Sequence, residues 1–141
     1  MTISARNQLS AKVKNIKAGA VNDQIELSLN DNETLVAVIT SESTKNLNLN
    51  VGSDVVAVFK APSVILSTDN TLLFSARNQL SGVVESINHG TVNCEVLVKT
   101  DGGTQLVAII TETSAKNMNL VQGSKLQVLV KASHILLAVK K

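Results

Sequence analysis

One short segment of this chain, Ser4-Ala5-Arg6-Asn7-Gln8-Leu9-Ser10, returns unchanged at residues 75–81. It combines an arginine with hydroxyl and amide side chains and contains no carboxylate. Arginine presents a planar fork of five N–H donors, and serine hydroxyls rotate to suit an acceptor. Residues of these types suit a fully deprotonated oxyanion, so the segment is a candidate for one wall of an anion site.

The two identical segments belong to a longer internal duplication with a constant offset of 71 residues. Residues 4–67 align with residues 75–138 without a gap, and 27 of the 64 aligned positions are identical. We therefore predict two domains, residues 1–67 and residues 74–141, joined by a polar, turn-like linker at residues 68–73.

The duplicate also shows which charged and polar residues both copies carry. None of the 11 acidic residues meets an acidic residue at the equivalent position, whereas three cations recur, as Arg6/Arg77, Lys45/Lys116 and Lys60/Lys131. A site present in both copies is then cationic, rich in donors and free of carboxylates, which would repel a dianion. The repeat alone leaves a second interpretation open, in which the cations are solvated strand-edge charges and the recurring serines form turns.

Alternation of apolar and polar residues predicts short strands that position these groups. In the first copy the strands are expected at Leu9–Val13, Val21–Leu29, Leu35–Ile39, Val55–Phe59 and Val64–Leu66. The continuous apolar run of the third strand predicts that both of its faces are covered, and a helical turn capped by Thr40 or Ser41 should follow it. The predicted fold class is all-β, with tandem OB-like five-stranded antiparallel barrels that each carry a short helical insert. Such small domains bury only about 60% of their unfolded surface, so self-association is expected.

Composition disfavours several other classes of function. The chain of 141 residues has a net charge of +2, and two Phe are its only aromatic residues, which argues against stacking nucleic-acid bases. No apolar run approaches the roughly 20 residues of a membrane span, and no secretory signal precedes Arg6. The single Cys94 fits a reducing cytoplasm. His89 and His134 lack partners at metal-ligand spacing, and no catalytic set is repeated or grouped, so neither an enzyme nor a metal-cation site is expected.

Three motifs, each present twice, give the chain a resemblance to a known family. Ser-Ala-Arg-Asn-Gln at the start of a small β domain resembles the molbindin (Mop-domain) family. Val38–Ser43 and Ile109–Ser114 are similar to its Ile-Thr-x-x-Ser element, and Lys60-Ala61 and Lys131-Ala132-Ser133 are similar to its Lys-Ala/Ser segment. The resemblance covers nearly the whole chain and is strongest to di-domain molbindins.

The resemblance implies a cytoplasmic molybdate-binding protein for molybdenum storage and homeostasis, with tungstate as an alternative ligand. It implies reversible binding at interfaces between domains and subunits of a homotrimer, and it implies neither a nucleic-acid nor a membrane partner. Two alternatives remain beside it: generic oxyanion binding of the sulfate type, and an oligomerisation module without tight ligand binding.

By the same resemblance, ligand-binding residues fall in three segments of each copy. The arginines supply charge beside serine hydroxyls and the backbone N–H groups around Ala5 and Ala76. The Thr/Ser pair donates together with free N–H groups of the helical turn, and the lysine completes neutralisation. The expected set is Ser4, Ala5, Arg6, Asn7, Thr40, Ser43, Lys60 and Ala61, with Ser75, Ala76, Arg77, Asn78, Thr111, Ser114, Lys131, Ala132 and Ser133 in the second copy.

Two further expectations concern differences between sites. Pro62 aligns with Ser133 and lacks both the backbone N–H and the hydroxyl, so the first site is expected to be weaker or differently shaped. The family also has a second class of site on symmetry axes. Gly19, Val21 and Asn22 with Gly90, Val92 and Asn93 are the candidates, because both copies keep these residues, and a structural β-turn is the alternative interpretation.

Overall fold

A computed structural model describes residues 2–30 and 32–141 as two five-stranded antiparallel sheets, each curled into an OB-like half-barrel. The first half of the chain supplies β1 (Asn7–Lys17), β2 (Asn22–Asn30), β3 (Glu33–Thr40), α1 (Ser41–Asn46), β4 (Asp54–Phe59) and β5 (Ile65–Ser67). The second half supplies β6 (Asn78–His89), β7 (Asn93–Thr100), β8 (Gln105–Thr111), α2 (Glu112–Asn117), β9 (Lys125–Val130) and β10 (Leu136–Ala138). The predicted all-β fold class with a short helical insert in each copy is confirmed.

Each sheet takes its last strand from the other half of the chain. The strand orders are β10-β4-β1-β2-β3 and β5-β9-β6-β7-β8, with Leu137 opposite Ala57 and Leu66 opposite Val128. The compact units are therefore Met1–Phe59 with Lys131–Lys141, and Lys60–Val130. These units do not coincide with the repeat boundaries at residues 67 and 74. The sequence could not reveal the exchange, because β5 and β10 are equivalent strands and either one fits either fourth strand.

A bend in the longest strand of each unit lets it join two ladders. The register of β1 with β2 shifts between Val13 and Asn15, and that of β6 with β7 shifts between Val84 and Ser86. Such bulges bend a strand and increase its twist. As a result, residues 7–12 of β1 pair with β4, and residues 12–17 pair with β2.

The interior of each unit is filled by inward-facing aliphatic residues of alternating strands. Ile25, Leu27 and Phe59 are almost completely buried in the first unit, as are Val96, Val98 and Val128 in the second. The expectation that both faces of Leu35–Ile39 are covered is wrong for this chain. Leu35 is buried, but Val36, Val38 and Ile39 are only half-buried, so the described residues leave the outer face of β3 partly open.

The two phenylalanines give a matched test of this core. Phe59 is 2% exposed, whereas Phe74 is half-buried in an irregular segment. Truncating a buried Phe removes its transfer free energy and leaves a cavity, so Phe59→Ala should lower the free energy of unfolding by about 3–5 kcal/mol. Phe74→Ala should cost clearly less in the same urea titration, and equal losses in the two variants would contradict this description of the core.

Candidate anion-binding site

The predicted cations flank one end of the β1–β4 ladder and the equivalent end of the β6–β9 ladder. Asn7 of β1 pairs with Phe59 of β4. Arg6 directly precedes Asn7 and Lys60 directly follows Phe59, so both cations adjoin the same paired position. Asn78 pairs with Val130 in the same way, next to Arg77 and Lys131. Both arginines and both lysines are exposed, while the two asparagines are only 3% exposed. The cations therefore face solvent at the strand ends, and the amides are held inside.

The predicted hydroxyls form the cap of each helix. Thr40 precedes α1 with extended backbone, and its Oγ1 accepts from the Ser43 N–H at 3.1 Å and donates to Ser43 Oγ at 2.8 Å. Thr111 and Ser114 repeat this arrangement at 3.1 and 2.9 Å. Because the threonine proton is directed to the serine oxygen, the serine is left to donate its own proton outward. The structure thus keeps each Thr/Ser pair together and presents one hydroxyl donor from it.

The expectation of free backbone N–H groups at this helical turn is wrong at two positions. The Ser43 N–H is taken by the threonine cap, and the Ser41 N–H donates to the Val21 carbonyl at 2.8 Å. In the second unit Ser114 N and Glu112 N are held in the same way. N-capping satisfies donors that the first turn of a helix leaves without partners, so the hydroxyls rather than these N–H groups can serve a ligand.

The cationic and hydroxyl groups lie at opposite ends of the same sheet. Asn7 starts β1, whereas Lys17 at its far end pairs with Gln24, and Asn22 pairs with Thr40. An 11-residue strand spans roughly 30 Å when extended. The strand register therefore places the two groups at opposite ends of each sheet, and the second sheet has the same arrangement.

The lysine segments form equivalent tight turns. Ser63 N donates to the Lys60 carbonyl, and His134 N donates to the Lys131 carbonyl, each at 3.0 Å. Both turns are single 3-10 turns, so the expected difference in shape at Pro62 is not seen in the backbone. At position 62 the first copy lacks the backbone N–H and the hydroxyl of Ser133, and the hydroxyl of its turn stands one residue later, at Ser63. Ala61 and Ala132 are buried, at 0% and 5% exposed, and pack into the core.

Carboxylates recur in space although they do not recur in the aligned sequence. In the first unit Asp23 Oδ1 accepts from Gly19 N at 3.1 Å and from Ser41 Oγ at 2.7 Å. In the second unit Cys94 and Glu112 occupy those two positions, and Glu112 Oε1 accepts from Gly90 N at 3.3 Å. The glycine turn of each unit is thus held by one carboxylate, delivered from β2 in one unit and from α2 in the other. The expectation of surroundings free of carboxylates is wrong at this turn.

The Glu112 carboxylate contacts a neighbouring imidazole. His89 Nδ1 lies 2.9 Å from Glu112 Oε1, a contact that the sequence did not predict. Burial raises the pKa of Glu112, but the His89 hydrogen bond and charge and the Gly90 N–H together bring that pKa below its usual value. Burial, together with Glu112, raises the pKa of the Cys94 thiol. Cys94 is therefore an inert thiol in the core, as its buried position on β7 indicates.

Several residues recur in both copies for reasons of backbone geometry. A Cβ at Gly19 would lie 2.2 Å from the Asn22 carbonyl oxygen, and one at Gly90 would lie 2.5 Å from that of Asn93. Asn48 and Asn119 have φ of 51° and 52°, a left-handed conformation that asparagine tolerates. Backbone geometry therefore explains why both copies keep the same residue at these positions, and no ligand is needed to explain it. Val21 and Val92, by contrast, are 71% and 69% exposed.

The structure also assigns a role to a residue pair that the sequence prediction did not place in the site. Gln8 Nε2 donates to the Ala5 carbonyl at 2.9 Å, and Gln79 Nε2 donates to the Ala76 carbonyl at 2.9 Å. Both glutamines belong to the recurring seven-residue segment, so a signal was present in the sequence. Through these hydrogen bonds each glutamine side chain, near the start of β1 or β6, folds back onto the segment that carries the arginine.

Other kinds of site find little support in the part of the chain that the structure describes. Within residues 2–30 and 32–141, His, Cys, Asp and Glu form no group of three that could hold a metal ion. In the same ranges no helix has the length and apolar character needed to cross a bilayer.

Comparison with known proteins identifies the family. The TOBE domain model matches residues 3–66 and again residues 75–137, so the chain belongs to the TOBE domain family and carries two copies of it. Over 99% of the chain it superposes on the whole of the cytoplasmic molybdate-binding protein ModG, solved with molybdate bound, at a TM-score of 0.94 and 40% identity. The resemblance to molbindins is thereby confirmed. These are families of binding proteins, which also confirms the expectation that the chain is not an enzyme.

Curated relatives match over nearly the whole chain but are longer. The molybdenum-pterin-binding protein MopA of Rhodobacter capsulatus is 38% identical over 98% of this chain, and the molybdenum transport protein ModE of Azotobacter vinelandii is 37% identical over 99%. The DNA-binding transcriptional dual regulator ModE of Escherichia coli is 30% identical over 96%. The chain spans about half the length of these relatives, 51–52% of each.

Substitution of the turn glycines tests their structural role. Gly19→Ala should push the Asn22 carbonyl away and disturb its pairing with Thr40, lowering the free energy of unfolding by about 1–3 kcal/mol, as overpacking does. Gly90→Ala should behave alike, and Ala20→Ser at the exposed neighbouring position serves as the control. Urea unfolding gives the comparison, and a Gly19→Ala protein as stable as the control would contradict the steric role.

The Asp23 carboxylate predicts an acid-sensitive contribution to stability. Hydrogen bonds from the Ser41 and Thr44 hydroxyls and the Gly19 N–H hold the pKa of Asp23 below its ordinary value of 3.8. A carboxyl group with a depressed folded-state pKa stabilises the fold above its unfolded pKa, and that stabilisation disappears as pH falls through the folded value. Asp23→Asn should therefore be less stable than wild type at a pH above the unfolded-state pKa, and the difference should shrink as pH falls through the depressed folded-state pKa.

Unfolding in urea at a series of pH values gives this comparison directly. Glu42→Gln removes an exposed carboxylate of the same first helical turn and provides the control. A constant difference between wild type and Asp23→Asn across the whole pH range would contradict the assignment.

Proposed function

We propose that this chain binds molybdate reversibly in the cytoplasm and serves molybdenum storage and homeostasis. The observation that carries the proposal is the doubled set of cationic and hydroxyl donors in a fold that superposes over its full length on a molybdate-bound ModG. MopA and the ModE proteins, which match nearly the whole chain, are also named for molybdenum. Tungstate has the same charge and shape and is the proposed alternative ligand.

The chemistry of the exposed residues supports an oxyanion ligand. Arg6 and Lys60 supply positive charge, and Ser4 supplies a hydroxyl from the same end of the sheet. Ionised donors make hydrogen bonds to oxyanions that are roughly twice as strong as neutral ones. These groups are exposed in the single chain, so water must be excluded by a second surface before their attraction for a dianion reaches full strength.

We propose that each site is assembled from two surfaces. Arg6 and Thr40 lie at opposite ends of one sheet, so a site that uses both groups must take the hydroxyl pair from a different sheet or a different copy. Assembly into a homotrimer would supply such pairs and cover the half-buried outer face of β3. Apolar side chains exposed at equivalent positions of both units, Val21/Val92 and Ile65/Leu136, support self-association.

The proposed ligand set keeps the predicted residues with refined roles. The arginines, the lysines and the hydroxyls of Ser4, Ser43 and their second-copy equivalents contact the anion. Thr40 and Thr111 orient the serine hydroxyls, and Asn7, Asn78, Ala61 and Ala132 pack beneath the site. Ser133 adds a hydroxyl where Pro62 has none, so the site that contains Ser133 is the stronger one.

For the second class of site we propose a structural turn instead. A carboxylate accepts from the Gly19 N–H in one unit and from the Gly90 N–H in the other, and a carboxylate so placed repels an oxyanion. The recurrence of both glycines is already explained by the short distances to the Asn22 and Asn93 carbonyls.

DNA binding, named for the Escherichia coli relative, is not part of the proposal. The chain spans 51% of that relative. Among the described residues the two α-helices are six residues long, shorter than a helix that reads the major groove. The chain also has no Tyr or Trp with which to stack bases.

Removing both arginines tests the function. Arg6→Ala combined with Arg77→Ala should weaken molybdate binding at least a hundredfold in calorimetry, because each site loses its bidentate cation. The exposed side chains should leave the thermal unfolding of the ligand-free protein nearly unchanged. Lys17→Ala with Lys99→Ala removes the same charge from exposed positions on β1 and β7 and should preserve affinity. Unchanged affinity in the arginine variant would show that the site assignment is wrong.

A further inference from the structure

The recurring glutamine makes two hydrogen bonds to the irregular segment that carries the arginine. Gln8 Nε2 donates to the carbonyls of Ala5 at 2.9 Å and Ile3 at 3.4 Å. Gln79 Nε2 donates to the carbonyls of Ala76 at 2.9 Å and Phe74 at 3.0 Å. An amide NH2 has two donor protons, so one side chain can hold both carbonyls at once. The two units thus share the same glutamine clasp, with its outer bond shorter in the second unit.

The clasp fixes the direction of two peptide groups. In a trans peptide the carbonyl and the following N–H point in opposite directions within one plane, and the described chain contains no cis peptide bond. When the Ile3 and Ala5 carbonyls turn toward Gln8, the N–H groups of Ser4 and Arg6 turn to the other side of the segment. In the second unit, the N–H groups of Ser75 and Arg77 turn in the same way.

This geometry sets a common orientation in a segment without regular structure. Residues 3–5 and 74–77 lie outside helices and strands, so no ladder of backbone hydrogen bonds fixes their peptides. Residues 3 and 74 differ in type, Ile against Phe, yet the carbonyl of each accepts from its glutamine. The hydrogen bond therefore depends on the backbone and the glutamine and is independent of the side chain at position 3 or 74.

We propose that Gln8 and Gln79 are positioning residues of the oxyanion site. Each holds the Ser-Ala-Arg segment so that the Ser4 or Ser75 N–H is turned away from the glutamine, and we place the anion on that side. The fixed N–H gives the site a donor of set direction, which favours an anion with an oxygen at the position to which that N–H points. This inference rests on the proposed molybdate binding and adds the residues that tune its affinity and selectivity.

The test uses the full chain and sodium molybdate in calorimetry. Gln8→Met combined with Gln79→Met keeps the length of the side chain and removes both donors. Affinity for molybdate should fall about tenfold, in line with a lost hydrogen bond to a charged group, and the ratio of molybdate to sulfate affinity should fall with it. Gln8→Glu with Gln79→Glu keeps the shape without donors and should bind no better than the Met variant. Gln122→Met, at an exposed glutamine in the turn before β9, should match wild type.

Backbone NMR separates positioning from simple stabilisation. In wild type the Ser4 and Ser75 amide protons should shift strongly downfield when molybdate is added, and in the Met variant this shift should be much smaller. Wild-type protein that binds no molybdate would refute the proposed function itself. Wild-type binding together with equal affinity and equal amide shifts in the Met variant would overturn the positioning role alone. A lower unfolding temperature with unchanged affinity would also overturn it.

Discussion

β4 pairs with β10, and β9 pairs with β5, so each sheet is completed by a strand from the other half of the chain. The rest of the structure depends on this exchange. β4 lies between β1 and β10, and β9 lies between β6 and β5. Without the exchanged strand, β4 and β9 would each present a row of unpaired backbone groups, which favours uncontrolled association. The exchange satisfies those groups within one chain. It also fixes the segments at Lys60 and Lys131, because each lysine directly follows a fourth strand.

The register of the ladders explains why a duplicated domain suits an assembled anion site. The arginine and lysine follow one end of the β1–β4 pair, while the Thr/Ser cap follows the opposite end of β3. Positive charge and hydroxyl donors are therefore kept apart along each sheet. The proposed site needs both surfaces at once, so under that proposal binding of the anion would be coupled to assembly.

Much of this arrangement could be predicted from the sequence. Period-two alternation located β1 and β2, a continuous apolar run located β3, and the Thr40 cap followed from its position after that run. The exchange could not be predicted, because Leu66 and Leu137 are the same residue in equivalent strands and local pattern does not say which partner each takes. The carboxylates were missed for a related reason. Asp23 and Glu112 sit at different aligned positions, and only the fold shows that they reach equivalent glycine turns, at Gly19 and at Gly90.

Selective binding of molybdate through the doubled donor set is the property on which the proposed function depends. The most direct measurement is a calorimetric titration of the ligand-free wild-type protein with molybdate, tungstate, sulfate and phosphate under one buffer condition. We expect saturable binding of molybdate with defined sites per chain, competition by tungstate, and far weaker binding of sulfate and phosphate. Sulfate bound as tightly as molybdate, or no saturable binding of molybdate, would contradict it.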